Sequence, residues 1–297
     1  MDIFKNILVS IDFKAKTEQA KIDRVLELIW KDESIALTFI YIAPEVKPDP
    51  ETSIVSSKNQ QESLVKHGQE RLDILAASFK DDLPLNNKIT CLVKIGKPSV
   101  AIIQQVLQGK HDLLLVSTRV KTFTDNLLGN TTMEIMRRCP CPIWAVKPEP
   151  AERKKIMVGI HFDEKVKDRN KALNQELLRL AMMFKSDSTR EMHLVNVMSK
   201  ANPEQHKQYV LDLERFAKEV MDSELKITVK VLEGEVTTML PEYAKQNSIA
   251  LLVLGMLSRT GLKGFFIGNT AEKILDDIDC SVLTVKPKSF VSPVSIK

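Results

Sequence analysis

Cysteine is scarce, long apolar runs are missing and neither sign of charge dominates; each shortage closes off a class of protein. Four cysteines in 297 residues make no disulfide framework. Cys139 and Cys141 form a C-P-C, but no second pair stands at zinc spacing. A zinc shared by Cys141 and Cys280 would need His or Asp partners that the sequence does not supply, so no metal is expected. A reducing cytoplasm suits this cysteine usage. The longest apolar run, Ile249–Leu257, is about half of a membrane span. The opening MDIFKNILVSIDFK has no basic flank before an apolar run and is interrupted by Asp12, so it does not read as a signal peptide. Lys plus Arg exceed Asp plus Glu by 43 − 39 = 4, too small and too evenly spread an excess to point to nucleic acid or an anionic membrane. Secreted, fibrous, membrane and histone-like classes are thereby excluded. With 43% hydrophobic and 28% charged residues, the chain reads as globular and cytoplasmic.

What the chain does contain is itself, twice. Residues 111–148 and 250–287 align without gaps, with 10 identities in 38 pairs. The identities include Gly-Asn-Thr at 129–131 and 268–270, Cys141 with Cys280, and a closing Val-Lys-Pro in each half. Earlier segments follow in the same order: 6–12 with 155–161, 34–44 with 190–199, and 89–98 with 227–236. The charged, proline-bearing stretch between the halves reads as a linker, which gives domains at 1–148 and 156–297 joined through 149–155.

Each half alternates short β-rich apolar runs with longer amphipathic stretches. Strands are expected at 7–11, 36–42, 89–95, 113–116 and 143–146, then at 156–160, 192–197, 227–232, 250–255 and 281–285. Helices are expected at 17–30, 61–79, 99–107 and 131–138, then at about 166–184, 203–222, 236–246 and 270–277. Lys97-Pro98-Ser99 sets proline where a helix starts, and Pro241 should lie near a helix start or kink that helix. Such alternation implies α/β architecture: two tandem five-stranded parallel sheets, Rossmann-like, with helices on both faces. Ligands of open α/β sheets sit beyond the carboxyl ends of strands where the strand order reverses. That points to Ser10–Asp12, to Gly159–Asp163, and to the loops after Val116 and Leu254.

After the run ending at Leu254 comes Gly255-Met-Leu-Ser258, nine residues, then Gly268-Asn269-Thr270 opening a helix. Here the chain resembles the universal stress protein family, whose phosphate loop reads G-x2-G-x9-G-[ST]. The tandem arrangement, the length and the Gly-Asn-Thr ending are most similar to the family's bacterial E subtype. Glycine lets backbone amides approach phosphate oxygens, and a helix start offers unpaired N–H groups. The resemblance implies a stress-response role and, by analogy with ATP-binding members, an adenine-nucleotide site. In half two that site would draw on Ile160, His161, Asp163, Val197, Gly255, Ser258, Arg259, Gly268, Asn269 and Thr270. Less favoured counterparts in half one are Asp12, Arg119, Gly129, Asn130 and Thr131.

Both halves depart from the pattern. Half one keeps the strand-end aspartate, Asp12, but has Val116 and Arg119 where the first two glycines belong. Half two has His161 at the aspartate's place, Ser258 for the second glycine and Asn269 for the Ser/Thr. Gly-Asn-Thr also admits a plain turn-and-cap reading, Asp12 a helix cap, and the four cysteines a packing role. The apolar loop residues Leu262, Phe265, Phe266 and Ile267 read either as packing or as a ligand or partner surface.

A binding and signalling protein without turnover is expected, with ATP or another adenine nucleotide in half two if anywhere. One alternative is a nucleotide-free scaffold for another small or apolar ligand or a protein partner; the other is a slow ATPase. The two like-ended halves should pack as an intramolecular pseudo-dimer with strands 143–146 and 282–285 side by side, leaving room for a homodimer of chains.

Overall fold

The computed structural model describes residues 4–15, 18–29, 34–47, 54–79, 89–118, 129–147, 154–161, 167–184, 191–198, 202–220, 226–256 and 269–296. Half one runs β1 (Asn6–Ile11), α1 (Glu18–Ile29), β2 (Ala36–Ala43), α2 (Ile54–Ala77), β3 (Ile89–Ile95), α3 (Pro98–Gly109), β4 (Leu113–Ser117), α4 (Gly129–Arg138) and β5 (Ile143–Val146). Half two runs β6 (Lys155–Gly159), α5 (Lys167–Met183), β7 (Glu191–Met198), α6 (Pro203–Val220), β8 (Lys226–Glu233), α7 (Val236–Gln246), β9 (Ile249–Gly255), α8 (Asn269–Asp277) and β10 (Ser281–Val285).

The strands form one ten-stranded sheet in the order β3-β2-β1-β4-β5-β10-β9-β6-β7-β8. Within each half the pairings are parallel. The halves meet through β5 and β10, antiparallel, with Ala145 opposite Val282, Trp144 opposite Leu283 and Ile143 opposite Thr284. The expected side-by-side strands are therefore present. Continuous apolar runs follow from burial on both faces: Leu113–Val116 is buried throughout.

Two hydrophobic layers sandwich the sheet, and both run through both halves. One packs α1, α2, α5 and α6 against Ile7, Val9, Leu251 and Leu283. The other packs α3, α4, α7 and α8 against Leu8, Ile143, Leu252 and Val282. Trp144 of half one meets Phe184 of half two edge-on at 4.5 Å between ring centres. The C-terminal tail crosses back to half one. There Gln104 donates to the Ser295 carbonyl at 3.1 Å, and Val294 is buried.

One helix starts well before its expected position. α2 begins at Ile54, not at 61; the polar run Ser56–Gln60, with Ser56, Lys58, Asn59 and Gln60 exposed, carries no apolar stripe to announce it. Pro241 lies inside α7, where it removes one helical donor. Pro98 opens α3 as its spacing indicated.

The repeated Val-Lys-Pro has a structural reason that spacing could not show. Lys147, after β5, is buried and its ammonium donates to the Ile278 carbonyl at the end of α8 in the other half. Lys286, after β10, is buried too and donates to the Met136 and Cys139 carbonyls at the end of α4. Each half thus caps the last helix of the other, supplying charge-assisted bonds to carbonyls the helix leaves open.

The amino ends of β6, β7 and β8 are clamped by Glu191. It accepts from Thr228 at 3.0 Å and pairs with Lys155 and Lys226, each at 3.3 Å. Burial pushes the Glu191 carboxyl up, but these donors outweigh it and hold it down at about 2. A carboxylate whose folded value lies below the ordinary 4.5 stabilises the fold above that value, and the gain is lost as pH falls toward about 2. Glu191→Gln should cost about 1–2 kcal/mol at neutral pH, allowing for partial exposure. The cost should vanish between pH 4.5 and about 2, as read by urea titrations of both proteins. An unchanged difference across that window would refute it.

Candidate functional site

Strand order reverses between β1 and β4 in half one and between β6 and β9 in half two. The two reversal points have different contents. In half two a cavity of about 80 Å³ opens there, lined by Gly159, Ile160, His161, Val197 and Gly255 from the strand ends and by side chains of α5 and α7. Its walls are largely apolar: Leu173 and Leu177 from α5, Val236 and Leu240 from α7, and Leu254. Of its two polar members, Asn174 is buried on α5; it donates to the His161 carbonyl at 3.0 Å and accepts from its N–H at 3.4 Å. The other, His161, is exposed.

The four expected residues Ile160, His161, Val197 and Gly255 therefore share one cavity. Asp163, Ser258, Arg259 and Gly268 lie outside the described residues, as do Leu262, Phe265, Phe266 and Ile267. Asn269 and Thr270 form the first turn of α8, with Thr270 exposed. Gly255 has a packing reason. A Cβ there would sit 2.8 Å from Leu173 Cδ2 and 3.4 Å from Leu177 Cδ1, so the missing side chain makes room for α5.

At the matching place in half one, Lys21 of α1 occupies the strand ends. Its side chain is fully buried, and its ammonium donates to the Ser10 carbonyl, to Glu18 Oε1 at 2.9 Å and to Ser117 Oγ at 2.8 Å. Ser117 Oγ donates to the same Glu18 oxygen at 2.5 Å, and the Asp12 N–H donates to it at 3.1 Å. Burial pulls the Lys21 ammonium below its ordinary value, and Glu18 and Asp12 partly offset that pull.

Asp12 is exposed; among the described residues its carboxylate accepts the Lys14 N–H at 3.0 Å and closes a turn, and α1 is described from Glu18. Arg119 lies outside the described residues; Gly129, Asn130 and Thr131 open α4, with the last two exposed.

Sequence reasoning missed Lys21, Glu18, Ser117 and Asn174. A signal for Lys21 existed: positions 21, 25 and 28 share a helical face, so a lysine stands where Val25 and Leu28 call for a core residue. Among the described residues no group of three or more His, Cys, Asp or Glu is arranged to hold a metal ion. No helix among them is long and apolar enough to cross a membrane.

Comparisons with known proteins agree on one family. The universal stress protein family matches residues 3–147 and again 152–286. The universal stress protein E of Escherichia coli K12 is 25% identical, over 100% of this chain and 98% of its own length. That of Photorhabdus laumondii is 29% identical over 67% of this chain and 69% of its own. A universal stress protein from Archaeoglobus fulgidus superposes with a TM-score of 0.67 at 14% identity, over 95% of this chain and 98% of that one, which shows the fold.

Proposed function

The chain belongs to the universal stress protein family, a family of the stress response, and we propose that it acts there as a ligand-binding and signalling protein, not a catalyst, whose working site is in half two. The observation that carries this reading is the contrast at the two reversal points: a cavity between β6 and β9, and a buried lysine between β1 and β4. An adenine nucleotide is the favoured ligand. The apolar walls suit a planar base, with Ile160, Val197 and Leu254 the residues that would hold it. The N–H groups and positive end of α8 at Asn269 and Thr270 would hold phosphate. Turnover finds no support among the described lining residues, none of which is a carboxylate or a thiol.

A second reading has its own observation. Leu173 already fills the space beside Gly255, and the cavity is small and apolar, which favours a compact apolar ligand with no phosphate. Calorimetry with ATP separates the two. Under the first reading the wild type binds, and Asp12→Ala binds equally. Gly255→Val together with Leu173→Ala, which gives the new side chain room, binds at least about tenfold more weakly. Absence of heat with the wild type would overturn the nucleotide reading. Phosphate release during the titration would overturn the non-catalytic one.

A further inference from the structure

The cysteines left out of any site are not equivalent. Cys139 and Cys141 are buried on either side of Pro140, with their sulfurs 3.5 Å apart in hydrogen-bonding contact. The same Lys286 that caps α4 donates to the Cys139 carbonyl at 2.7 Å, bringing a buried cation from half two to this pair. Half two has no such pair, because Ile278 stands where Cys139 would repeat.

We propose that Cys139 and Cys141 form a peroxide-reactive dithiol that closes reversibly to a disulfide at the junction between the halves. The geometry supplies each part. Two thiols already in contact need only a small approach of the sulfurs to bond. Lys286 supplies positive charge beside them, which favours a thiolate. Burial pushes the Cys139 thiol up, but the hydrogen bond from Cys141 and the Lys286 charge outweigh it and leave it below its ordinary value. The bond to Cys139 and burial push Cys141 up, so Cys141 keeps the proton. Burial lowers Lys286 in turn to about 8. Cys141 retains 8% exposure against none for Cys139, so the oxidant reaches the Cys139 sulfur past Cys141 and must be as small as a hydroperoxide.

The steps balance. The Cys139 thiolate attacks one oxygen of hydrogen peroxide; the O–O bond breaks, hydroxide leaves and the sulfenic acid forms. The Cys141 sulfur then attacks the Cys139 sulfur; the S–O bond breaks, and water leaves carrying the Cys141 proton. The hydroxide takes up the proton that Cys139 released on ionising. Two thiols are oxidised by two electrons and one peroxide becomes two waters. A thiol reductant reverses the change, as the short C-P-C loop leaves the bridge labile. Because the Cys139 carbonyl accepts from Lys286, closing the bridge acts on the contact that fastens half two to half one.

The test treats the reduced full-length protein with hydrogen peroxide and maps the four cysteines by mass spectrometry. The expected result is a Cys139–Cys141 bridge, about 2 Da lighter than the dithiol, that forms at least about tenfold faster than equally buried Cys280 is modified. Dithiothreitol should reverse it. Cys141→Ser should leave a Cys139 sulfenic acid, read as a gain of about 16 Da on the intact protein, and Cys139→Ser should slow peroxide consumption about tenfold. Modification of Cys280 at the same rate would mean that reaction follows general opening of the fold, and would overturn the proposal. So would a reduced pair in chains whose Cys91 has oxidised, or bridges between chains. If either variant fails to fold, the wild-type map alone decides.

Discussion

Lys21→Leu should destabilise the protein by about 3–5 kcal/mol at neutral pH, far more than a surface lysine would. Its ammonium is surrounded by a backbone carbonyl, a serine hydroxyl and Glu18, whose carboxylate is itself only 18% exposed. Taking away the cation leaves that carboxylate with the Ser117 hydroxyl and the Asp12 N–H as its donors, and much of the cost is that stranded charge. The arrangement carries its own control. Glu18→Gln combined with Lys21→Leu removes both charges and should recover most of the loss, because a buried pair replaced whole is often neutral. Urea unfolding of the wild type, the single and the double variant measures this. A single variant within about 0.5 kcal/mol of wild type would show that Lys21 contributes nothing beyond its aliphatic stem.

Lys147→Met and Lys286→Met should each cost about 2–3 kcal/mol, since each strips charge-assisted bonds from helix-end carbonyls that have left water. The two sites cap different helices, so their costs should add in the double variant. The more telling outcome is cooperativity. Both hydrophobic layers run through both halves, so the wild type should melt in a single calorimetric transition. Losing both reciprocal caps weakens the junction selectively, and the double variant should melt in two steps. A double variant that still melts in one step would mean that β5, β10 and Trp144 on Phe184 hold the halves together unaided.

Much of the architecture could be read in the residues because parallel strands covered on both faces write themselves as unbroken apolar runs. Leu113–Val116 and Leu251–Leu254 are instances. The junction followed from a repeat, the same Val-Lys-Pro closing each half. What the repeat could not say is that those lysines reach carbonyls of the opposite half. Lys286 and Cys139 are 147 positions apart, and only the fold brings them together. The first turns of α2 were hidden by their polarity. The residues of half two's cavity were legible where they end strands, as at Ile160 and Gly255, since strand ends at a reversal point are a topological expectation. Leu173 and Asn174 were not, because a helix's apolar stripe does not reveal which of its members faces a strand end.

The antiparallel seam between β5 and β10 also settles a question of dilution. Two separate chains held by one strand pair dissociate when their concentration falls below the dissociation constant. Here the partner is covalently attached through a short connection, and its local concentration is on the order of millimolar however little protein a cell makes. The ratio of the two halves is fixed at one to one. Half one can therefore keep a buried lysine where half two has a cavity and still always meet that half.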